Sequence, residues 1–243
     1  MTGLPPILFE DDCLVAFDKP SGLLVAPDRW DKSRENMMQL VHSKFSKSCY
    51  NAHRLDRETS GVLLCAKNKG VLKVLCGLFE AGKVSKQYVA LTRGLPAEKT
   101  GRIDLPLVPD RNRPGRMFPL PGHGKPATTM YEVVESWRGF TLVHAFPITG
   151  RTHQIRVHLA SIHTPIVGDS FYGDGLGLAL SEIKRKYKQK KDTPEIPLIG
   201  RLALHSSKLS FAHPVTGQPV TIESPLPDKF EIAIKYLRRF AGW

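Results

Sequence analysis

A carboxylate flanked by two arginines is the feature of this 243-residue chain that most suggests chemistry. Asp56 lies between Arg54 and Arg57, in a mostly polar stretch, residues 53–61, that reads H-R-L-D-R-E-T-S-G. The apolar run V-L-L-C-A follows, and it predicts a buried strand with Gly61 as the turn at its mouth. Asp56 is therefore expected in a loop anchored to a strand, where reacting groups are often found.

Two interpretations of Asp56 are open from the residues alone. A carboxylate beside arginines is commonly a surface ion pair. Arginine does not give up its proton, however, so its neighbours would keep Asp56 ionised even where burial opposes the charge. An ionised, partly desolvated carboxylate is a candidate nucleophile.

The same stretch carries a family resemblance. Residues 53–61 resemble the H-R-L-D-x-x-T-S-G signature of the RluA-type RNA pseudouridine synthases, in which the aspartate is the catalytic nucleophile. Three further segments match that family in its order: D-K-P-S-G-L at 18–23, K-Q-Y-V-A at 86–90 and G-R-T-H-Q-I-R-V-H-L at 150–159. Four collinear matches are much more specific than one.

The resemblance implies a role for each matching side chain. Asp56 would attack the target nucleotide, either at the ribose anomeric carbon or at carbon 6 of uracil, and Arg156 would ion-pair with it. Tyr88 would stack on the base and help the proton leave carbon 5, although a strand tyrosine by itself more often packs in a core. Arg54 would enter the helix stack where the base was. Four further side chains of the matched motifs are expected to bind substrate: His53, Arg151, His153 and Gln154.

The implied reaction breaks a carbon–nitrogen glycosidic bond, rotates the uracil and reattaches it through carbon. Nothing is oxidised or reduced, so no cofactor is expected. A stacked base cannot be reached, and flipping it out costs roughly a few kcal/mol. Arg54, next to the nucleophile, would fill the vacated space.

Hydrophobic periodicity predicts an α+β fold, a single catalytic domain over residues 1–243 with a mostly antiparallel central sheet flanked by helices and loops. Strands are predicted at residues 7–10, 14–18, 23–26, 62–66, 86–92, 128–136, 141–148, 203–211 and 220–223. The strands at 128–136 and 141–148 are predicted to form an antiparallel hairpin across residues 137–139. Helices are predicted at 37–45, 71–79, 153–162 and 228–240. Those at 71–79 and 153–162 are predicted to be amphipathic, and the apolar stripe of the first contains Val71, Val74, Leu75, Leu78 and Phe79. The lack of strand–helix alternation and of a phosphate-cradling glycine loop argues against Rossmann and nucleotide-hydrolysing folds.

Two irregular segments have open interpretations. Residues 105–125 are rich in Pro, Gly and Arg, and form a solvated arm or one that grips RNA; their length favours function. A basic insertion at about 174–200 contains the run 184–191, in which six of eight residues are cationic. This run is either a mobile, solvated insertion or an arm that contacts phosphates.

Composition limits the class of protein. A net charge of +12 and a pI near 9.6 favour polyanionic partners, nucleic acid or an acidic membrane surface, unless the charge serves only solubility. No apolar run approaches the ~20 residues of a bilayer span, and the N-terminus lacks the features of a secretory signal. The four cysteines have no paired spacing, and Cys65 and Cys76 are expected to be buried, reduced thiols. We expect a cytoplasmic monomer that binds tRNA or rRNA and no membrane.

A metal site is not expected. Three of the nine histidines, His153, His158 and His163, are spaced by five, which points successive members about 140° apart on a helix. No pair has the spacing of a helical zinc site.

Two other functions fit the sequence less well. An RNA-binding protein whose catalytic site had become inactive would be expected to have lost Asp56 or Tyr88, and both are present. A hydrolase that uses Asp56 needs a water-activating base or metal, which the sequence does not supply. Many members of the family carry a small RNA-binding domain ahead of the catalytic one. Only about six residues precede the first predicted strand here, so such a domain is not expected. Its absence would favour a short stem-loop target in tRNA or rRNA.

Overall fold

The computed structural model describes residues 3–27, 33–189 and 193–243. The strands are β1 Ile7–Glu10, β2 Leu14–Lys19, β3 Tyr50–Asn51, β4 Ser60–Ala66, β5 Ser85–Arg93, β6 Thr100–Asp104, β7 Leu107–Pro109, β8 Met117–Pro119, β9 Thr128–Trp137, β10 Phe140–Pro147, β11 Leu204–Ala212 and β12 Pro219–Glu223. The helices are α1 Met37–Lys44, α2 Lys69–Glu80, α3 Gln154–Ser161, α4 Leu180–Ile183 and α5 Asp228–Phe240.

The chain divides into two compact units. Unit 1 comprises Met1–Gln87 and His205–Pro225, and unit 2 comprises Tyr88–Leu204 and Leu226–Trp243. Two of the boundaries fall within strands, β5 and β11. One catalytic domain over residues 1–243 stays a prediction.

Unit 1 is built on the buried strand β4. β2 and β3 pair with it antiparallel, β11 pairs with it in parallel, and β1 and β12 extend the set on β2 and β11. All seven residues of β4 are buried, and Val62 and Leu64 pack in a core with Val71 and Leu75 of α2. A strand covered on both sides has a continuous apolar sequence, so the predicted buried strand is confirmed.

Helix α2 confirms the predicted amphipathic helix. The side chain of Asn68 accepts a hydrogen bond from the backbone N–H of Val71 at 2.9 Å and caps the first turn. The helix ends just before Gly82, whose φ of +67° suits a helix stop. Val74, from the predicted apolar stripe, is exposed.

Unit 2 contains an antiparallel set of strands in the order β5, β10, β9, β6. β9 and β10 form the predicted hairpin, joined through Arg138 and Gly139, where φ is +81°. α5 has the predicted bounds and buries Phe230 and Leu237, while Asp228 in its first turn complements the helix dipole. The fold is thus α+β with a mixed, mostly antiparallel set of strands, as predicted.

Three details of the prediction are wrong. Residues 23–26 do not form a strand, because the carbonyls of Leu24 and Val25 instead accept the N–H groups of Met37 and Met38 at the start of α1. Gly61 lies inside β4 and is not a turn. A Cβ at that position would lie 2.2 Å from the carbonyl oxygen of Ser206 on β11, and φ is +109°, so the close approach of the two strands requires glycine.

Helix α3 is buried on all sides instead of amphipathic. Its polar residues have buried partners: for example, His158 lies 2.9 Å from the hydroxyl of Thr129 through Nδ1 and 3.1 Å from the carbonyl of Leu105 through Nε2. Single-sequence periodicity cannot show such partners, since they come from distant segments.

Two irregular segments are more ordered than expected. Residues 105–125 contain the β7–β8 hairpin, whose register pairs Val108 with Phe118. The insertion at about 174–200 contains α4 and a bridge between Leu178 and Ile199, both fully buried. Residues 190–192, at the end of the basic run, lie outside the described residues.

Among the residues that the structure describes, no helix is long and apolar enough to cross a bilayer. All four cysteines are free thiols. Cys65 is buried as predicted, whereas Cys76 is only half-buried, because it lies on α2 beside the buried stripe.

Candidate active site

Asp56 lies in the loop that leads into β4, and its side chain is half-buried. The N–H of Thr59 donates to the carbonyl of Asp56 at 3.1 Å, which closes a turn immediately before the strand. The loop is thus fixed on its strand side, in agreement with the prediction.

The turn that follows β2 holds the other side of this loop. The N–H of Gly22 donates to the carbonyl of Arg57 at 2.8 Å, and the hydroxyl of Ser21 donates to the carbonyl of Glu58 at 2.6 Å. The guanidinium of Arg57 returns a bond to the carbonyl of Gly22 at 3.1 Å. The two residues after Asp56 are therefore clamped by the K-P-S-G segment.

Lys19 completes this clamp from inside the protein. It is fully buried, and its ammonium donates to the carbonyls of Leu23 (2.7 Å), Pro20 (2.8 Å) and Arg57 (3.1 Å). The sequence interpretation missed this role. The available signal was a lysine at the end of an apolar strand, which is an unusual place for a charge.

His53 and Arg54 have opposite environments. The ring of His53 stacks on Phe79 with centroids 5.0 Å apart, and its Nε2 accepts the N–H of Leu64 at 3.0 Å. Burial lowers the pKa of His53 to about 4, with a smaller effect of Lys86, so the ring is neutral at neutral pH and can accept. Arg54 is exposed. A contact of His53 with substrate stays a prediction.

A buried polar chain supports the start of β4. The hydroxyl of Ser60 lies 2.9 Å from Nδ1 of His205, and Nε2 of His205 lies 3.3 Å from the carbonyl of Ser224. The hydroxyl of Ser224 in turn donates to Asp18 at 2.9 Å. This chain links β4, β11, the residue that follows β12, and β2 inside unit 1.

Unit 2 holds the other predicted residues. Tyr88 is buried on β5, opposite Ala145 of β10. Gln154, at the start of α3, accepts from the hydroxyl of Thr149 at 2.6 Å and donates to the carbonyl of Thr128 at 2.8 Å. Arg151 is exposed and donates to the carbonyl of Pro126 at 3.0 Å. The contacts of Gln154 join α3 to β9, and substrate binding by Gln154 and Arg151 stays a prediction.

His153 precedes α3 with a left-handed backbone, φ 55°. Its Nδ1 lies 2.8 Å from the hydroxyl of Tyr172, which also accepts the N–H of Met117 at 2.8 Å. Burial raises the pKa of Tyr172 to about 12, so this hydroxyl keeps its proton and can donate to His153. The guanidinium carbon of Arg156 lies 5.2 Å from the ring centroid of Tyr172. His153 and Arg156 therefore share a neighbour, Tyr172.

Arg156 makes a bidentate ion pair with Asp169. Its Nε and Nη2 each lie 2.8 Å from a different oxygen of that carboxylate, and both side chains are buried. The sequence interpretation did not find Asp169, because no spacing rule connects a helix residue to a loop thirteen positions later.

The structure thus forms two groups of predicted residues. In unit 1, His53, Arg54 and Asp56 share one clamped loop, and in unit 2, His153 and Arg156 meet around Tyr172.

Residues 13–161, which include all three predicted catalytic positions, match the family model described as RNA pseudouridylate synthase. The chain belongs to this family. It is accordingly an RNA pseudouridine synthase, an isomerase, and the resemblance seen in its motifs is confirmed.

Similar proteins match along nearly the whole chain. The dual-specificity RNA pseudouridine synthase RluA of Escherichia coli (strain K12) is 36% identical over 221 residues, 90% of this chain and 92% of the relative. The tRNA pseudouridine synthase C of Haemophilus ducreyi is 34% identical over 249 residues, 98% of this chain and 96% of the relative. The structure of human RNA pseudouridylate synthase domain containing 4 superposes with a TM-score of 0.72 at 29% identity, covering 96% of this chain and 92% of that one.

One cluster of metal-ligating residues in this synthase has another explanation. Within the described ranges, Asp11, Cys13 and His213 are the one such trio. Nδ1 of His213 accepts the N–H of Thr216 at 3.1 Å, which makes Nε2 the protonated nitrogen, and Nε2 lies 3.1 Å from Asp11 and 3.3 Å from the sulfur of Cys13. Burial and the neighbouring Asp11 raise the pKa of the Cys13 thiol. To bind a metal, Nε2 of His213 would need a free lone pair, but this nitrogen carries the proton. We therefore interpret the trio as a hydrogen-bonded contact that joins two turns.

Proposed function

We propose that this RNA pseudouridine synthase isomerises specific uridines in structured tRNA or rRNA, with Asp56 as the nucleophile. The observation that carries the proposal is the clamped loop: Asp56 is half-buried, and the carbonyls of Arg57 and Glu58 are held by the K-P-S-G turn. A nucleophile on a rigid loop needs little reorganisation before attack. The names of the relatives, a dual-specificity RNA pseudouridine synthase and a tRNA pseudouridine synthase, support an RNA substrate of this class.

The proposed reaction uses only groups of the chain and the substrate. The target uridine is flipped out, and Asp56 attacks either the anomeric carbon or carbon 6 of the uracil. The bond between N1 and the anomeric carbon breaks, the uracil rotates, and a bond from carbon 5 to the anomeric carbon forms. Carbon 5 then loses its proton, with Tyr88 against the base, and N1 is protonated. If Asp56 attacked the anomeric carbon, its bond to that carbon breaks as carbon 5 attacks; if it attacked carbon 6, its bond to carbon 6 breaks in a final elimination. Either route returns the carboxylate. Arg156 stabilises the carboxylate of Asp56 before attack.

Tritium release tests the proposal directly. RNA that carries tritium at carbon 5 of uridine releases it when the glycosyl bond to carbon 5 is complete and the proton leaves. We expect release from total tRNA or rRNA, with no free uracil. Free uracil without tritium release would indicate a hydrolase and contradict the proposal. Mapping pseudouridines in total RNA with and without the gene identifies the uridine.

Arg54→Ala tests the base-flipping step. The exposed Arg54 is proposed to fill the gap left by the flipped base. The substitution should raise the activation free energy on a stem-loop by about 1–3 kcal/mol, comparable to the loss of one stacking contact. On an unstructured oligonucleotide of the same sequence the effect should shrink, because an unstacked base leaves a smaller gap. Single-turnover rates on both substrates at fixed salt measure this.

The control for Arg54 is Arg111→Ala, which removes an exposed guanidinium from the β7–β8 hairpin. A loss of general phosphate attraction affects both substrates equally. If Arg54→Ala also slows both equally, Arg54 is only an electrostatic contact or a loop support, and the gap-filling role is wrong.

The basic run is tested through the salt dependence of RNA binding. Its four described cations, Lys184, Arg185, Lys186 and Lys188, are exposed. If they contact phosphates, replacing all four with Gln should lower the slope of log K against log salt by up to ~0.7 per contact on a single strand. The matched control replaces four exposed lysines of α2 and α5: Lys69, Lys73, Lys229 and Lys235. Equal slopes for the two variants and the native protein would identify the run as a solvated insertion.

A further inference from the structure

Asp169 is fixed by the loop that it begins. Its Oδ1 accepts the N–H groups of Phe171 (2.9 Å) and Tyr172 (3.1 Å), and its carbonyl accepts those of Gly173 (3.0 Å) and Gly175 (3.1 Å). The side chain is only 1% exposed. The carboxylate therefore has one orientation, set by the backbone around it.

The same loop places two aromatic rings against the guanidinium of Arg156. Its central carbon lies 5.4 Å from the ring centroid of Phe171 and 5.2 Å from that of Tyr172, both within cation–π range. The bidentate pair with Asp169 fixes the plane of the guanidinium and the direction of one edge. Arg156 is thus oriented by one four-residue segment, 169–172, that contributes a charge and two rings.

Asp169 also supplies the negative charge that balances the buried guanidinium of Arg156. Arg156 is only 6% exposed, and a buried cation with no anion is costly. The carboxylate of Asp169 supplies that anion, whatever else the guanidinium binds. The carboxylate of Asp169 accepts from Nε and Nη2 of Arg156. A second carboxylate would therefore bind the guanidinium through the edge that contains Nη1.

We propose that Asp169 is a positioning residue of the isomerisation: it holds the Arg156 guanidinium in the orientation in which Arg156 partners the nucleophile. The inference rests on the proposed function, in which that nucleophile is Asp56. Asp169 acts only through Arg156 and does not touch the substrate.

A double-mutant cycle tests this role, with Asp169→Asn, Arg156→Met and the double variant in single-turnover tritium release. Asp169→Asn should slow the reaction about 100-fold, as misplaced catalytic groups do. RNA affinity should stay within about threefold, because binding depends mainly on phosphate contacts. If Asp169 acts through Arg156, the double variant should be no slower than Arg156→Met alone.

Glu135→Gln is the matched control, since it disrupts another Arg–carboxylate pair of unit 2. Nε and Nη2 of the exposed Arg238 lie 2.9 and 2.8 Å from Oε2 of the half-buried Glu135. The rate of this variant should equal that of the native enzyme. Should Asp169→Asn fail to fold, Arg156→Lys keeps the charge next to Asp169 but loses the planar two-edged geometry, and it should fold and be slow.

Several outcomes overturn the inference: a native rate for Asp169→Asn, a native rate for Arg156→Lys, or a double variant slowed by the product of the two single effects. Failure of the proposed function is distinguishable. It appears as a native rate for Arg156→Met, or as turnover by a variant without the Asp56 carboxylate, whatever Asp169 does.

Discussion

Asp56→Asn is expected to abolish tritium release, with a single-turnover rate reduced at least about 10⁴-fold, as for other catalytic nucleophiles. The amide has nearly the shape of the carboxylate, but its oxygen carries no negative charge and is a far weaker nucleophile. RNA affinity should change by less than about threefold, because phosphate contacts with basic side chains dominate it. Filter binding and tritium release on the same RNA measure the two quantities.

The control for Asp56 is Glu58→Gln in the same loop. The carboxylate of Glu58 is 43% exposed and lies 3.5 Å from Arg57, so its removal should leave the rate nearly unchanged. A 10⁴-fold reduction leaves about 0.01% of the native rate. If Asp56→Asn or Asp56→Ala keeps more than about 1% of the native rate, the assignment of the nucleophile is wrong.

Lys19→Met is expected to have the largest effect on stability. The methionine preserves most of the apolar volume but leaves the carbonyls of Pro20, Leu23 and Arg57 without this donor. The carbonyl of Arg57 keeps the N–H of Gly22, so the carbonyls of Pro20 and Leu23 are the acceptors that lose most. An unsatisfied buried acceptor costs roughly 1–3 kcal/mol, so we expect the free energy of unfolding to fall by about 3 kcal/mol. Urea unfolding followed by circular dichroism measures it. The rate well below the melting temperature should fall far less than for Asp56→Asn, since the nucleophile remains.

Lys208→Met provides the comparison for Lys19. Lys208 forms an ion pair with Glu223 at 2.6 Å, but both side chains are exposed. Such pairs contribute roughly 0–1 kcal/mol. A variant of Lys19 as stable as that of Lys208 would mean that the clamp on the loop is not stabilised by the buried ammonium.

The sequence was most informative where local pattern and burial coincide. The continuous apolar run of β4, the stripe of α2 and the bounds of α5 were predicted because each buries a face that its own periodicity marks. The family was identified because its motifs are short and contiguous, so that residues 53–61 and 150–159 could be read directly.

The errors in secondary structure have one physical origin. Residues 23–26 look like a strand, but their carbonyls are used by α1 and Lys19, and Gly61 looks like a turn but lies in a strand. Helix α3 is polar in sequence but buried. In each case the deciding partner lies far along the chain, and local propensity does not encode it.

The sequence by itself determined the type of enzyme, most of its strands and helices, and the candidate nucleophile, because these depend on contiguous residues. Only the tertiary structure decided what supports the candidate residues: the buried ammonium of Lys19 on the loop of Asp56, and the carboxylate of Asp169 on Arg156. Supports of this kind depend on which distant groups lie within hydrogen-bond distance of a buried charge. That distance is set by the packing of the whole chain and not by spacing in sequence.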